Sequence, residues 1–174
     1  MKGYYKMPDK TAEDVTADGF LKTGDRGDID EKGRLKLTGR VKELFKTAKG
    51  KYVAPAPIES KLSEQVALDA ICVAGSGLPQ PIALATVSPE LGGQLGDKAF
   101  VAALTQELEQ HLQAVNSTLE HHEQLDCLVL VAEPWTIENG FLTPTLKIRR
   151  NVIEAHYMNN ADQWTAKKQR VVWA

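Results

Sequence analysis

No apolar run in this 174-residue chain approaches the ~20 residues that a membrane-spanning helix needs. The first ten residues, MKGYYKMPDK, hold no apolar core of the kind a secretory leader carries. Cysteine is scarce: Cys72 and Cys127 are the only two, each inside an apolar run, AICVA and LDCLVLV. Weighed against a disulfide, buried free thiols in a reducing compartment are expected. Neither sign of charge dominates. Lys and Arg number 21 and Asp and Glu 23, for a net charge of −2, so nothing draws the chain toward nucleic acid or an acidic membrane. Internal repeats and low-complexity segments are missing too. Together these absences predict a cytoplasmic protein, at most peripheral to a membrane, with no nucleic-acid partner.

Several catalytic signatures are also lacking. AKGK, Ala48 to Lys51, does not meet the GxxxxGK pattern of a phosphate loop. His121 and His122 are adjacent; on a helix of about 3.6 residues per turn they would point about 100° apart, a poor metal pair. With the two cysteines far apart, no metal site is expected. No serine and histidine sit in a nucleophile context. Lys147, Arg149 and Arg150 are too few for a nucleic-acid patch in an otherwise acidic chain.

What is present is an ordinary globular composition, 43% hydrophobic and 25% charged. The length suits one domain, or one domain with a piece of another. GFLKTGDRGDIDEKGRLKLTGR reads as three short strands with a hairpin turn at DEKG, Asp30 to Gly33. Residues 1–40 hold too few apolar side chains to fold alone, since isolated hairpins are marginal in water. VKELFKTAKGKYVAP reads as a second hairpin with its tip at Lys49–Gly50–Lys51. Pro55 and Pro57 end it and open a helix, with Ile58, Leu62 and Val66 on the inner face. LDAICVAG and PIALATVS are predicted buried strands joined by the GSGLPQ turn, and GGQLGD is a predicted loop. Asp97 caps a long helix whose apolar positions Phe100, Leu104, Leu108, Leu112, Val115 and Leu119 recur about every three to four residues. LDCLVLVAE is a third buried strand. After a loop with Gly140 and Pro144, KIRRNVIEAHY is a predicted short helix. The expected fold class is α/β (α+β), a small mixed sheet flanked by helices and preceded by a β-meander.

Four stretches follow in order: TGD (Thr23 to Asp25), GRVKELFKT (Gly39 to Thr47), GKYVAPAPIE (Gly50 to Glu59) and TPTLKIRR (Thr143 to Arg150). With GYYK near the start and DGFLKTGD, this series resembles the C-terminal part of the adenylate-forming (AMP-binding) enzyme superfamily of acyl-CoA synthetases, luciferases and peptide-synthetase adenylation domains. Within it the long-chain fatty acyl-CoA synthetases carry the most similar phrases. The resemblance runs from Met1 to about Tyr157.

The resemblance implies a two-step reaction. A carboxylate attacks the α-phosphate of ATP to give an acyl-adenylate and pyrophosphate; a thiol, usually that of coenzyme A, then displaces AMP. Asp25 matches the aspartate that accepts from both ribose hydroxyls, a task suited to two charged acceptor oxygens. Arg40 matches an arginine that also approaches the ribose. Lys42 matches the hinge about which a small domain rotates between the two steps. Gly50 matches a loop that turns inward for thioester formation, with Lys46 assisting; glycine suits the close approach of a ligand to backbone. Tyr52 departs from the family pattern, where asparagine is common. Lys147 matches the catalytic lysine of adenylation, a compact mobile charge. Arg149 and Arg150 are expected to cap the loop or begin the helix. Each of these alone is an ordinary solvated side chain; the ordered series nominates them.

The resemblance further implies ATP, a magnesium ion and coenzyme A as cofactors, none bound tightly by this chain alone, and a fatty acid or other carboxylic acid as substrate. No Ser/Thr/Gly-rich phosphate loop and no YGxTE-like run is present. Met1 is therefore expected to be internal to a longer chain. Residues 1–40 would be the terminal strands of a large N-terminal domain acting in cis, and residues 41–174 the mobile C-terminal domain. Two rival readings are an adenylating enzyme that loads an acyl carrier protein, and a stand-alone domain that binds a partner and catalyses nothing. Joint retention of Asp25, Arg40 and Lys147 argues against the second.

Overall fold

The computed structural model describes residues 1–174, which divide into two units, Met1–Glu43 and Leu44–Ala174. Local hydrogen bonding, not a core, shapes the first. Pro8 opens helix α1 (Pro8–Asp14), where its fixed φ suits the first turn. Strands β1 (Asp25–Ile29) and β2 (Leu35–Arg40) pair antiparallel. Asp30 holds their turn: its carboxylate accepts from the backbone N–H of Lys32 and Arg34, both at 2.9 Å, and from Arg34 Nε at 2.7 Å. These bonds, the Arg34 backbone foremost, keep the Asp30 carboxyl below its ordinary range. Ile29, Leu35 and Leu37 share one face of the hairpin and are 73%, 64% and 65% exposed. No residue of this unit is buried. The first of the three predicted strands is reduced to a bridge between Val15 and Leu21, and α1 was not foreseen.

In the second unit, β3 (Phe45–Lys46) and β4 (Tyr52–Val53) form the expected hairpin, with Gly50 at φ 75° in its tip. β4 runs into α2 (Pro55–Leu62), which buries Ile58 and Leu62. Val66 lies past the helix end and is 87% exposed, against expectation. Strands β5 (Leu68–Ala74), β6 (Ile82–Val87), β7 (Leu128–Val131) and β8 (Val171–Trp173) form one mixed sheet in that order, antiparallel between β5 and β6 and parallel thereafter. Helix α3 (Lys98–Ser117) makes the β6–β7 crossover, and Asp97 caps it by accepting from Ala99 N–H at 2.8 Å. Helices α4 (Arg150–Tyr157) and α5 (Ala161–Ala166) lie between β7 and β8. No helix is long and apolar enough to cross a membrane.

Side chains on the strands alternate between two cores, as a pleated backbone requires. Ile71, Val73, Ala83, Ala85, Leu128 and Leu130 pack against α2 and α3 through Ile58, Leu62, Leu104, Leu108, Leu112 and Val115. Cys72, Ile82, Leu84, Val129 and Val172 pack against α4 and α5 through Ile153, Tyr157, Ala161 and Trp164. Burial on both faces explains why these strands read as continuous apolar runs. Other local expectations change. Part of GGQLGD belongs to a 3-10 turn, Pro89–Gln94. His121 and His122 lie in a turn beyond α3. Lys147, Ile148 and Arg149 precede α4 rather than joining it, and α5 and β8 were not anticipated.

Neither cysteine is in a disulfide, and both are buried. Burial pushes Cys127 from an ordinary 9.0 up to about 12, with Asp126 adding to the rise and Arg170 opposing it. The unfolded chain would release this proton near 9.0, and the folded chain retains it to about 12. The folded state then binds more protons, so stability is expected to fall across that window by roughly 1.4 kcal/mol per pH unit. Below it the contribution is fully present. Urea midpoints of the chain and of Cys127→Ala, followed from pH 8 to 11, are expected to converge or cross as the chain loses this term. A gap that stays constant with pH contradicts it.

Candidate functional site

Lys147 sits in a tight loop between β7 and α4, closed by an antiparallel bridge between Leu142 and Ile148. Within it Thr143 N–H donates to the Lys147 carbonyl and Leu146 N–H to the Thr143 carbonyl, both at 2.8 Å. Lys147 N–H donates to Thr143 Oγ1 at 3.1 Å. The turn holds Leu146 at φ 59°, a left-handed conformation uncommon outside glycine. The Lys147 side chain is exposed, and its ammonium forms no hydrogen bond or ion pair within the chain.

Each leg of the loop is anchored. On the first, Arg149 N–H donates to the Phe141 carbonyl at 2.8 Å and the Arg149 guanidinium to the Gly140 carbonyl at 3.2 Å. Phe141 is buried among the rings of Trp135, His156 and Tyr157, at centroid distances of 6.3, 5.2 and 5.7 Å. On the second, Arg150 starts α4 and its guanidinium reaches Glu59 of α2 in two-pronged fashion, Nη1 to Oε1 at 2.8 Å and Nη2 to Oε2 at 3.0 Å. Nearby, burial pushes the Glu154 carboxyl above its ordinary range; Arg150 opposes this and Glu59 adds to it. Arg150 begins the helix, one of the two roles expected of it, but its pairing with Glu59 was not foreseen. Glu59 ends one motif and Arg150 another, but nothing in a single sequence pairs them.

The other nominated residues fall in two places. Asp25 and Arg40 face each other across β1 and β2, with Arg40 Nε 3.3 Å from Asp25 Oδ1. Lys42 is exposed in a 3-10 turn, Val41–Glu43, that ends the first unit, and not in a strand. Lys46 pairs with Tyr52 across the β3–β4 hairpin, its ammonium 4.8 Å from the ring centroid, a cation–π contact. Gly50 owes its identity to its positive φ, since a Cβ there would meet nothing within 4 Å. Lys46 and Gly50 thus share one hairpin, and no hydrogen bond or ion pair joins them to Lys147. No group of three His, Cys, Asp or Glu side chains is gathered as a metal would need.

Residues 43–169 match the family model described as the AMP-binding enzyme C-terminal domain. A long-chain-fatty-acid–CoA ligase of Mycobacterium tuberculosis is 33% identical over 172 residues, covering 92% of this chain and 28% of that protein. Long-chain-fatty-acid–CoA ligase 5 of Mus musculus is 35% identical over 162 residues, covering 86% and 24%. The chain thus spans about a quarter of the length of the curated relatives it matches. Among solved structures, the adenylation domain of the carboxylate reductase from Mycobacterium chelonae superposes with a TM-score of 0.78 at 29% identity, covering 94% of this chain and 26% of that one. The A domain of carboxylic acid reductase from Segniliparus rugosus, in complex with AMP and a co-purified carboxylic acid, gives 0.76 at 28%, covering 95% and 26%. Matched along most of its length and sharing its fold with these adenylation domains, the chain belongs to the AMP-binding enzyme C-terminal domain family.

Proposed function

We propose that this chain is the C-terminal region of an ATP-dependent acyl-CoA synthetase that activates long-chain fatty acids. The observation that carries this reading is Lys147: an exposed ammonium without an internal partner, on a loop anchored at both legs. Relatives named as long-chain-fatty-acid–CoA ligases support it. Adenylation must bring a carboxylate to a triphosphate, and two anions repel. An ammonium placed between them offsets that repulsion most where charge shifts in the transition state. Asp25 would accept from the ribose hydroxyls of ATP, with Arg40 steadying its Oδ1. Lys42, beside the break between the two units, would serve as the hinge. Lys46 and the Gly50 tip would line the path of the acceptor thiol. The magnesium ion that accompanies ATP is assigned to no residue here.

In this reading residues 1–40 are terminal strands of a preceding domain that holds the acyl and triphosphate sites, and residues 41–174 are the mobile domain. The 174-residue chain by itself is expected to show no fatty-acid-dependent exchange of pyrophosphate into ATP. The polypeptide that joins it to the preceding domain is expected to show that exchange and, with coenzyme A, to form fatty acyl-CoA. Exchange by the chain alone would refute the division of labour. Transfer to a phosphopantetheinyl carrier protein, with none to coenzyme A, would assign the other acceptor. No exchange from the joined polypeptide with any carboxylic acid would leave the non-catalytic binding domain.

A further inference from the structure

Two motifs that the sequence keeps 91 residues apart meet in one buried ion pair. Resting on the reading of Lys147 above, we propose that Glu59 and Arg150 are positioning residues that set the Lys147 loop for adenylate formation. Their side chains are only 16% and 13% exposed. Both also grip the edge strand β5 at one residue: Glu59 Oε1 accepts from Val73 N–H at 2.7 Å, and Arg150 Nη1 donates to the Val73 carbonyl at 2.8 Å. The pair therefore occupies the hydrogen-bonding place of a further strand and fastens α2, β5 and the start of α4 together.

This arrangement reaches Lys147 through the chain itself. Arg150 stands three residues beyond Lys147, so fixing it on β5 fixes the loop's second leg. Arg149 and Phe141 fix the first. With both legs held, Leu146 stays at φ 59°, a conformation that persists only where the surroundings impose it. The chemistry of each partner is also dictated. Val73 offers one donor and one acceptor, so position 59 must accept and position 150 must donate. Reversing the two charges would restore the ion pair but turn a donor toward the Val73 N–H and an acceptor toward its carbonyl.

The first test uses amide hydrogen exchange on the 174-residue chain carrying Glu59→Gln or the milder Arg150→Lys. The amides of Leu146, Lys147 and Arg149 are expected to exchange roughly ten- to a hundredfold faster, while those of β6 and β7 keep their original rates. Unchanged loop rates would overturn the proposal. Equal acceleration throughout the sheet would overturn it too, since that marks a purely structural pair. The double reversal Glu59→Arg with Arg150→Glu is expected to leave the loop unprotected, and restored protection would count against the Val73 contacts.

The second test places the single variants in the polypeptide with its preceding domain. The kcat of adenylation is expected to fall about tenfold or more, with KM for ATP within about twofold and thioester formation from supplied acyl-adenylate near its original rate. Lys147→Ala is run beside them. If that variant leaves adenylation intact, the reading of Lys147 has failed. If it removes adenylation and the Glu59 and Arg150 variants do not, the positioning role has failed.

Discussion

Replacing Lys147 with alanine, in a polypeptide that joins this region to the preceding domain proposed above, is expected to slow acyl-adenylate formation by about 10²–10³-fold. Thioester formation from supplied acyl-adenylate and coenzyme A is expected to change little. The asymmetry follows from where charge moves. In the first step the carboxylate attacks and negative charge builds on the α-phosphate and the departing pyrophosphate, so a cation placed there acts on the transition state. In the second step the anionic triphosphate is gone and the attacking group is a thiol, so the same ammonium has less to stabilise. A single contact of this kind is worth ~3–4 kcal/mol. Arginine at this position is expected to rescue poorly, because a planar, forked cation cannot replace a compact point charge on a flexible stem. The loop also predicts that the loss is chemical: Lys147 is held through its backbone N–H and carbonyl by Thr143, and alanine keeps both bonds. Pyrophosphate exchange and single-turnover thioesterification, measured on the same preparation, separate the steps. Equal loss in both would sink the role assigned to Lys147.

Legibility in the sequence tracked the range of the interaction that decides each feature. Asp30, Pro55, Pro57 and Asp97 act within a few residues of themselves, and the turn, the α2 start and the α3 cap stand where they were predicted. Strands β5, β6 and β7 were readable because burial on both faces removes polar residues from them. Strand β8 was not. It is three residues long and exists because it pairs with Leu128–Leu130, far upstream. Val66 misled because helical spacing carries on past the point where α2 stops. Lys147 itself has no local signal beyond a charge in a turn, and only the ordered series of motifs singled it out. The Glu59–Arg150 pair needed the fold, since its meaning lies in two contacts to Val73.

Residues 44–174, prepared without the first unit, are expected to fold cooperatively, whereas residues 1–43 prepared alone are expected to remain largely unfolded. The contrast is one of burial against chain entropy. Ordering a residue costs about 1–2 kcal/mol in backbone entropy, and removing apolar surface from water returns roughly 25 cal/mol per Å². The first unit buries none of its residues, so its turn at Asp30 and its ladder have little to set against that cost. The second unit has a core on each face of its sheet, with Leu84, Leu108, Leu112, Leu128 and Ile153 each at most 1% exposed. Amides in β6 and β7 are expected to exchange at least about 10³-fold more slowly than unfolded chain, as global opening of a stable domain requires. Amides of β1 and β2 in the isolated 1–43 peptide are expected to fall within about tenfold of unfolded rates. A cooperative thermal transition in that peptide would show that its hairpin carries its own stability, and rapid exchange throughout 44–174 would show that the second unit does not. The expected outcome gives the Ile29, Leu35 and Leu37 face its meaning. Three adjacent side chains, all more than half exposed, form an apolar surface that water disfavours. In the proposed enzyme that surface would be covered by the preceding domain, and the hairpin that carries Asp25 and Arg40 would be ordered by it.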